Sequence, residues 1–210
     1  MGEFTPVKLL LIDELETLKI IVNPLRIQIV ESLIAAPLTV AQVAERLGLT
    51  PSKLYYHVNL LEEHGLIKVV EERQVANIIE KLYRAAAEGL EVDPALLSFA
   101  TREGQENVLS VLAATLDATR EEIIRSMEAR AFALEQGAEK QPRKGLLNRA
   151  KSHIDQTRAA EFAERLQALM EEFEAADSPD SQSEDMHAYA LLVAFYPCFY
   201  YPDEDEPESS

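Results

Sequence analysis

Residues 38–66 read LTVAQVAERLGLTPSKLYYHVNLLEEHGL, and the local patterns in this stretch decide how the N-terminal part of the chain folds. Thr39 is followed three residues later by Gln42, which predicts a capping box, because the two residues satisfy each other's unpaired backbone amides at a helix start. Apolar residues then recur at helical spacing, and Gly48 stands where a left-handed residue ends a helix. The stretch therefore opens with a short helix and a glycine-containing turn.

A second helix is predicted directly after this turn. Thr50 suits the N-cap position, and Pro51 falls in the first helical turn, where a missing N–H costs nothing. Leu54, Val58 and Leu61 form one apolar stripe along this helix. At about 100° per residue, the stripe turns a polar set to the opposite side, with Lys53 at its margin: Ser52, Tyr56 and Asn59.

Gly65 predicts the end of the second helix, and residues 66–70 follow as an apolar strand. A short helix, a tight turn and a second helix with a polar outer face are typical of the helix-turn-helix arrangement. Its second helix has the size of the DNA major groove. The alternative is a pair of amphipathic helices in any small helical domain, and the ordered capping and turn signals favour the helix-turn-helix.

The flanking sequence predicts the rest of a compact N-terminal domain. Residues 7–12 are an apolar run with strand character, Asp13 suits a helix cap, and Asn23-Pro24 begins a further buried helix. Residues 67–72 and 78–86, the latter extendable to Val92, predict a β-hairpin joined by a polar turn at 73–77. Arg73 in this turn is a candidate minor-groove or phosphate contact, and a solvated turn arginine is the alternative.

These features together resemble a known family. The segments that carry the resemblance are Asn23-Pro24-Leu25-Arg26, the run from Thr39 to Leu61, Gly65-Leu66-Ile67 and Glu80-Lys81-Leu82-Tyr83-Arg84-Ala85. Over about residues 13–92 they resemble the winged helix-turn-helix of ArsR-like regulators. The resemblance implies a homodimeric bacterial or archaeal transcription factor that reads a pseudo-palindromic operator with the helix starting at Thr50.

The chain departs from the metal-sensing branch of that family, whose members carry a Cys-x-Cys pair or His/Asp clusters. Residues 38–50 contain neither Cys nor His. The four histidines of the chain show no ligand spacing: His57, His64, His153 and His187. We therefore expect no metal site, no metal sensing and no cofactor.

The predicted DNA contacts lie on the two helices and the wing. Ser52 and the start of its helix are expected to hold phosphate, while Lys53, Tyr56 and Asn59 are expected at base edges or neighbouring phosphates. Tyr55 and His57 lie at the margins, and His57 equally suits the edge of the core. The full predicted set is Thr39, Thr50, Ser52, Lys53, Tyr55, Tyr56, His57, Asn59 and Arg73.

After Asp93-Pro94, a long helix is predicted over residues 106–135. Its apolar residues recur at spacings of 3, 4 and 7, which is typical of a narrow packing seam that a partner helix must cover. The same helix of a second chain is favoured over a helix of the same chain. The predicted dimerisation residues are Leu109, Leu112, Leu116, Ile123, Met127 and Leu134.

The C-terminal part is expected to form a small strand–helix–strand unit. Strands are predicted over 146–154 and 187–196, around a helix over 159–174 that Asp155 or Thr157 caps. Residues 176–185 form a predicted acidic loop, and 202–210 a disordered acidic tail. One set of aromatic residues is expected to pack as a strand on a helix, with the lining of a small-molecule effector pocket as the alternative: Phe195, Tyr196, Phe199, Tyr200 and Tyr201.

Composition limits the function classes. The 210 residues carry a net charge of −17, of which residues 1–90 hold −3 and residues 91–210 hold −14, so indiscriminate nucleic-acid binding is not expected. Cys198 is the single cysteine and is expected to be a buried, inert thiol without a disulfide. We find neither a signal peptide nor a membrane span, which favours a cytoplasmic protein, and no nucleophile–base constellation of an enzyme.

The sequence thus predicts a mainly helical α+β chain. Residues 1–92 are expected to form a winged helix-turn-helix, residues 93–201 a helical and α+β region for dimerisation, with the sensing of a small-molecule effector left open, and residues 202–210 a tail. The predicted function is that of a sequence-specific regulator with double-stranded DNA and a second copy of itself as partners, and with no membrane partner. The alternative is a winged-helix module that binds protein and does not contact DNA directly.

Overall fold

The computed structural model describes residues 4–75, 78–138, 145–176 and 189–198. Two compact units are present, Met1–Gln141 and Pro142–Ser210. The elements of the first unit are β1 (Val7–Ile12), α1 (Leu15–Ile21), α2 (Pro24–Ala35), β2 (Leu38–Thr39), α3 (Val40–Arg46), α4 (Pro51–Glu63), β3 (Ile67–Val75), β4 (Ile78–Ala85), β5 (Ala87–Val92), a 3-10 helix (Pro94–Leu97) and α5 (Arg102–Glu135). The second unit contains α6 (Gln156–Ala175).

The predicted helix-turn-helix is confirmed as α3 and α4. The Thr39 hydroxyl accepts a hydrogen bond from the Gln42 amide at 3.2 Å, and the Thr39 amide donates to the Gln42 side chain at 2.9 Å, which completes the capping box. Gly48 has a φ of 64° and Gly65 a φ of 70°, values that favour glycine, so each ends its helix as predicted.

The capping prediction for Thr50 is wrong in its detail. Thr50 occupies the N-cap position of α4, but its hydroxyl makes no cap bond. The hydroxyl groups of Thr50 and Ser52 instead lie 3.1 Å apart in a hydrogen bond with each other. Pro51 nevertheless stands in the first turn of α4, as the sequence predicted. Asp13 likewise does not cap α1, whose N-cap is Glu14.

The core of the first unit joins the first four helices to the strands. Leu54 and Leu61 of α4, Ile29 of α2, and Leu66 after α4 are fully buried. Apolar burial of this kind is the main driving force that fixes α4 in one orientation. The apolar stripe predicted for the second helix therefore faces the core.

The wing is a three-stranded antiparallel sheet with the strand order β2-β4-β3. Its hairpin register runs from Ile67 opposite Ala85 to Val75 opposite Ile78, with an irregularity between Val69 and Glu71. The sequence predicts the second hairpin strand over residues 78–86, extendable to Val92, and the pairing with the wing ends at Ala86. Its amide donates to the Leu66 carbonyl at 2.9 Å, and β5 then pairs in parallel with the predicted N-terminal strand β1.

The long helix α5 begins four residues earlier than predicted, where the Thr101 hydroxyl accepts a hydrogen bond from the Gly104 amide at 3.0 Å. A Cβ at position 104 would collide with the Ser98 carbonyl oxygen, so glycine permits this close turn into α5. The small residues Ala114 and Ala118 are buried. Gln28 of α2, also buried, donates to the Ala118 carbonyl at 3.2 Å and thus ties α2 to α5.

The second unit differs from its prediction. Asp155 caps α6 by accepting a hydrogen bond from the Arg158 amide at 2.8 Å, as expected. The strands predicted over 146–154 and 187–196 are wrong for the described residues, which have no regular structure at 145–155 and 189–198. A strand needs a hydrogen-bonded neighbour, and the described part of the chain pairs none with these segments. The predicted acidic loop, apart from Ala176, and the predicted tail lie outside the described residues.

Candidate nucleic-acid interface

The outer face of α4 is the most promising interaction surface of the first unit. Leu54, Val58 and Leu61 are each at most 2% exposed and hold the helix from behind. On the other side, Tyr55 is 55% exposed and Tyr56 is 67% exposed. Three further residues of the predicted set are also exposed: Ser52, Lys53 and Asn59.

The charge along α4 favours its N-terminal half as a contact for anions. Lys53 is the only charged residue between positions 51 and 60, whereas Glu62 and Glu63 stand at the other end. The exposed backbone amides at the start of a helix add partial positive charge. Phosphate therefore meets a favourable potential at the Ser52–Lys53 end of α4 and repulsion at the Glu62–Glu63 end.

His57 is half-buried at the edge of this face, and its Nδ1 atom is buried without a hydrogen-bond partner among the described residues. Burial lowers the pKa of His57, and the positive charge of Arg26 lowers it further. The imidazole is thus neutral at pH 7 and adds no positive charge to the face. Its ring packs edge-on against Tyr56 with ring centres 5.5 Å apart, so His57 positions Tyr56.

Arg26 is a residue of this region that sequence reasoning did not place in the site. Its guanidinium donates to the carbonyl oxygens of Ile20 and Lys19, the latter at 3.3 Å, and so closes the C-terminal end of α1. The sequence feature that could have drawn attention to Arg26 is its position in the first turn of α2, after Pro24. Only the packing of α1, α2 and α4 brings this cation close enough to His57 for its positive charge to lower the pKa of that ring.

Thr39 differs from the exposed α4 residues of the predicted set because it is buried. It is 6% exposed, and its hydroxyl is engaged in the capping box of α3. Thr50, by contrast, is exposed at the start of α4. We therefore assign Thr39 to the folding of α3 and retain Thr50 with the α4 surface.

Arg73 is not in a turn, as predicted, but within strand β3. Its guanidinium binds the Glu71 carboxylate with both arms, Nε to Oε1 at 2.6 Å and Nη2 to Oε2 at 2.9 Å. The two residues are two apart on one strand and project from the same side. Glu80 stands directly opposite Arg73 on β4, so two acidic residues surround this cation. The turn residues 76–77 lie outside the described residues.

A groove of about 350 Å³ lies between the start of α3, the side of α4 and strand β4. Lys81 of the wing and Tyr55 of α4 line this same groove, a shared surface that the sequence did not predict. Burial raises the pKa of Tyr83, as do the charge of the nearby Glu62 carboxylate and the hydrogen bond that it accepts from the phenol, and this bond ties β4 to α4. The groove is lined by Thr39, Val40, Ala41, Tyr55, Ile79, Glu80, Lys81 and Tyr83.

The predicted dimerisation residues form an exposed apolar stripe on α5. At 100° per residue, this stripe lies opposite the side that carries Ala114 and Ala118. The exposed fractions along the stripe are 64% for Leu109, 51% for Leu112, 48% for Leu116, 47% for Ile123, 68% for Met127 and 38% for Leu134.

Other predicted features of the second half have different outcomes. Cys198 is exposed, so its prediction as a buried thiol is wrong. Phe195 and Tyr196 are also exposed, and the aromatic residues 199–201 lie outside the described residues. Within the described ranges, no group of three or more His, Cys, Asp or Glu side chains is placed to hold a metal ion. Among the described helices, none is both long and apolar enough to cross a bilayer.

Comparison with known proteins adds to this geometry. A family model described as a helix-turn-helix domain matches residues 21–70. Reduced HlyU from Vibrio cholerae is 30% identical over 34% of this chain and 70% of its own length, with a TM-score of 0.28. An apo double mutant of ZitR from Lactococcus lactis is 18% identical over 75% of this chain and 88% of its own length, with a TM-score of 0.25. No curated protein matches the chain.

The helix-turn-helix match covers α2, α3 and α4, the elements that form and present the exposed face. This match shows that the chain contains a helix-turn-helix domain, and the β3–β4 hairpin completes it as a winged helix-turn-helix.

Proposed function

We propose that the protein acts as a homodimer that reads a pseudo-palindromic operator in double-stranded DNA. The observation that carries this proposal is the division of α4 into a fully buried apolar stripe and an exposed polar and aromatic face. The 13 residues of α4 span about 20 Å, which suits a helix lying in the major groove. Each protomer then contributes one α4 to one half-site.

In this proposal, the residues of α4 divide the work of recognition. Ser52 and Thr50, at the start of the helix, contact phosphate, where the helix dipole also favours negative charge. Lys53 and Asn59 reach base edges or adjacent phosphates, and Tyr56 packs against the groove with His57 behind it. Tyr55 and Lys81 contact the backbone from the wing side.

Dimerisation through α5 completes the proposed arrangement. The stripe from Leu109 to Leu134 is exposed, and contiguous apolar surface of this kind marks interaction sites. A twofold axis through the α5 interface would relate the two protomers and present their two α4 helices to half-sites about one turn of DNA apart. The opposite side of α5 meets α2 through Gln28, so the dimer helix is joined directly to the helix-turn-helix domain.

We also propose that the protein does not sense metal ions. The lack of Cys and His in residues 38–50 supports this, because these residue types supply the usual ligands of zinc. The test is operator binding in the presence and absence of Zn²⁺. An unchanged Kd is expected, and a tenfold change in either direction would contradict the proposal.

A second candidate function is a winged-helix module that binds protein. The observation in its favour is charge: residues 1–90 carry a net −3, and Glu71 neutralises the wing cation Arg73. A DNA-reading domain ordinarily presents a clear positive surface. Only the first candidate predicts that the protein binds DNA and that this binding depends on salt and on the α4 surface.

The decisive experiment is fluorescence anisotropy with the DNA upstream of the protein's own gene and with a scrambled control, each at 50 and 200 mM salt. We expect tighter binding to the upstream DNA and a loss of affinity with added salt. Lys53→Ala should weaken binding about tenfold and reduce the salt slope by about one. Lys8→Ala, which removes an exposed lysine on β1, is the matched control and should leave both quantities unchanged.

The same data decide against the proposal if they fall otherwise. Equal affinity for the upstream and scrambled DNA would contradict the claim that the protein recognises a specific operator sequence. A salt slope that Lys53→Ala leaves unaltered would remove Lys53 as a contact. No measurable binding to either DNA at 50 mM salt would favour the protein-binding module.

A further inference from the structure

Helix α6 has no buried residue along its 20 positions. In the described ranges of the second unit, 145–176 and 189–198, every residue is at least partly exposed. Helices in proteins gain most of their stability by packing an apolar face rather than from intrinsic helix propensity. The long capped helix therefore requires a partner for its apolar side.

The apolar side of α6 is a narrow stripe with spacings of four and three residues: Phe162, Leu166, Leu169 and Phe173. Leu169 is 49% exposed and Phe173 39% exposed. Such spacing is typical of a helix that pairs with another helix along a single seam. The partner is thus expected to present a similar narrow apolar stripe.

The charges beside the stripe identify that partner. Arg158, Arg165 and Glu172 are seven residues apart and form one row along the same edge of the stripe. The guanidinium groups of Arg158 and Arg165 lie 5.2 and 5.6 Å from the centre of the Phe162 ring, so both cations border the seam. The row therefore runs from positive at the N-terminal half to negative at the C-terminal half.

We propose that α6 pairs in antiparallel orientation with α6 of a second copy of the chain. In an antiparallel pair related by a twofold axis, the same edge of each helix meets its equivalent. With the axis beside Leu169, Arg165 of each copy faces Glu172 of the other, and two ion pairs form. Among the described residues, Glu172 has no ion-pair partner within its own chain, and this arrangement supplies one.

A parallel pair would not use these charges. In that orientation, each charged row meets the opposite edge of the other helix, which carries the uncharged Ala159, Ala163 and Met170. Burial of the stripe supplies the affinity in either orientation, while the reciprocal ion pairs select the antiparallel one. The interface is separate from the α5 stripe, so this inference does not depend on the proposed DNA-binding dimer.

The test is disulfide cross-linking in the full-length chain. Cys198→Ser removes the single native cysteine, and Leu169→Cys then places a thiol beside the proposed axis. Oxidation should join most of this variant into covalent dimers. The matched control, Ala159→Cys on the same helix, should not cross-link, because antiparallel pairing separates the two copies of position 159 by about 28 Å along the axis.

Charge variants sharpen the result. In the Leu169→Cys background, Glu172→Arg sets like charges against each other and should lower the dimer yield at least threefold. Arg165→Glu combined with Glu172→Arg exchanges the two charges and should restore the yield. As a second readout that keeps the stripe intact, a carbodiimide should join the lysine of Arg165→Lys to Glu172 of the other copy, as detected by mass spectrometry.

Three outcomes would overturn the proposal. Equal cross-linking of the Ala159→Cys control would indicate parallel pairing or random collision. The absence of both the disulfide and the carbodiimide product would show that another partner covers α6. A covalent-dimer yield that Glu172→Arg leaves unchanged would contradict the proposed ion pairs. Because every readout reports α6 alone, failure of the α5 dimer leaves the test valid.

Discussion

Helices α4 and α5 carry apolar stripes of the same sequence type, yet the two stripes have opposite environments. In α4, Leu54 and Leu61 are fully buried within their own protomer. In α5, Leu109 is 64% exposed and Met127 68% exposed. The comparison teaches that periodicity identifies the apolar face of a helix, whereas the surrounding fold determines what covers that face.

The side of α5 that packs against the rest of the first unit carries small and polar residues. Ala114 and Ala118 are buried, and the Gln28 side chain accepts a hydrogen bond from Arg125 Nη2 at 2.8 Å. The Arg125 stem also lies within 4 Å of where a Cβ on Gly48 would be, at the turn between α3 and α4. Small residues let helices approach closely, and the polar bonds fix their register. Helix α5 thus has an inner polar contact and an outer apolar stripe.

The largest expected effect comes from a change in the buried apolar stripe of α4. Leu54→Ala should lower the free energy of unfolding by about 2–5 kcal/mol, because it leaves a cavity in the core. Leu116→Ala, the matched change in the exposed α5 stripe, should cost about 0.5 kcal/mol or less within the protomer. Urea unfolding followed by circular dichroism, at a low fixed protein concentration, measures both. Equal losses would show that the two stripes are not in different environments.

The next effect concerns assembly. Leu116→Asp combined with Ile123→Asp should raise the monomer–dimer Kd by at least about 100-fold, because the α5 interface would have to bury unpaired carboxylates. Sedimentation equilibrium provides the measurement. Tyr56→Asp, at an exposed position of α4, should leave the Kd unchanged. If the double variant stays dimeric with an unaltered Kd, the α5 stripe is not the interface.

A smaller effect depends on pH and tests the contact between α2 and α5. Burial raises the pKa of Glu31 to about 7, and the negative charge of Glu122 adds to the shift. The stability from the protonated carboxyl is fully present below pH 4.5, the ordinary value, and is lost as the pH rises through 7. More than a third of Glu31 is open to solvent, so screening limits the loss to about 1 kcal/mol.

Glu31→Gln should therefore stabilise the protein at pH 8 and have little effect at pH 4.5. Thermal unfolding at the two pH values measures the difference, which corresponds to roughly 2–4 °C. Glu16→Gln, at an exposed residue in the first turn of α1, is the control and should not reproduce this pattern. A decrease in stability at pH 8 would contradict the raised pKa.

The smallest effect concerns the wing. The carboxylate of Glu71 occupies both arms of the Arg73 guanidinium, a geometry that a DNA phosphate also matches. Exposed ion pairs contribute little because water screens them, so Glu71→Gln should tighten DNA binding by no more than about fivefold. Anisotropy titrations measure this gain, and Arg73→Ala in the same background should abolish it. A gain that survives Arg73→Ala would remove Arg73 as a phosphate contact.

Local sequence was sufficient for the helix-turn-helix because its signals act over a few residues. The Thr39–Gln42 capping box and Gly48 are each decided by neighbours in the chain, and all were confirmed. The stripe that contains Leu54 follows from helical spacing alone. The strand predictions in the second unit failed because a strand pairs with a partner at any distance along the chain, which local sequence does not identify. The same limit hid the parallel pairing of β1 with β5.

By itself, the sequence determined which residues lie on which face of α4, where helices α3 and α4 begin and end, and that α5 has an apolar seam. Only the tertiary structure decided that Arg26 lies beside His57, that Glu71 holds Arg73, and that Gln28 joins α2 to α5. The physical reason is range. Backbone capping and periodicity are set within a few residues, whereas ion pairs, shifted pKa values and buried hydrogen bonds depend on atoms that only the folded chain brings together.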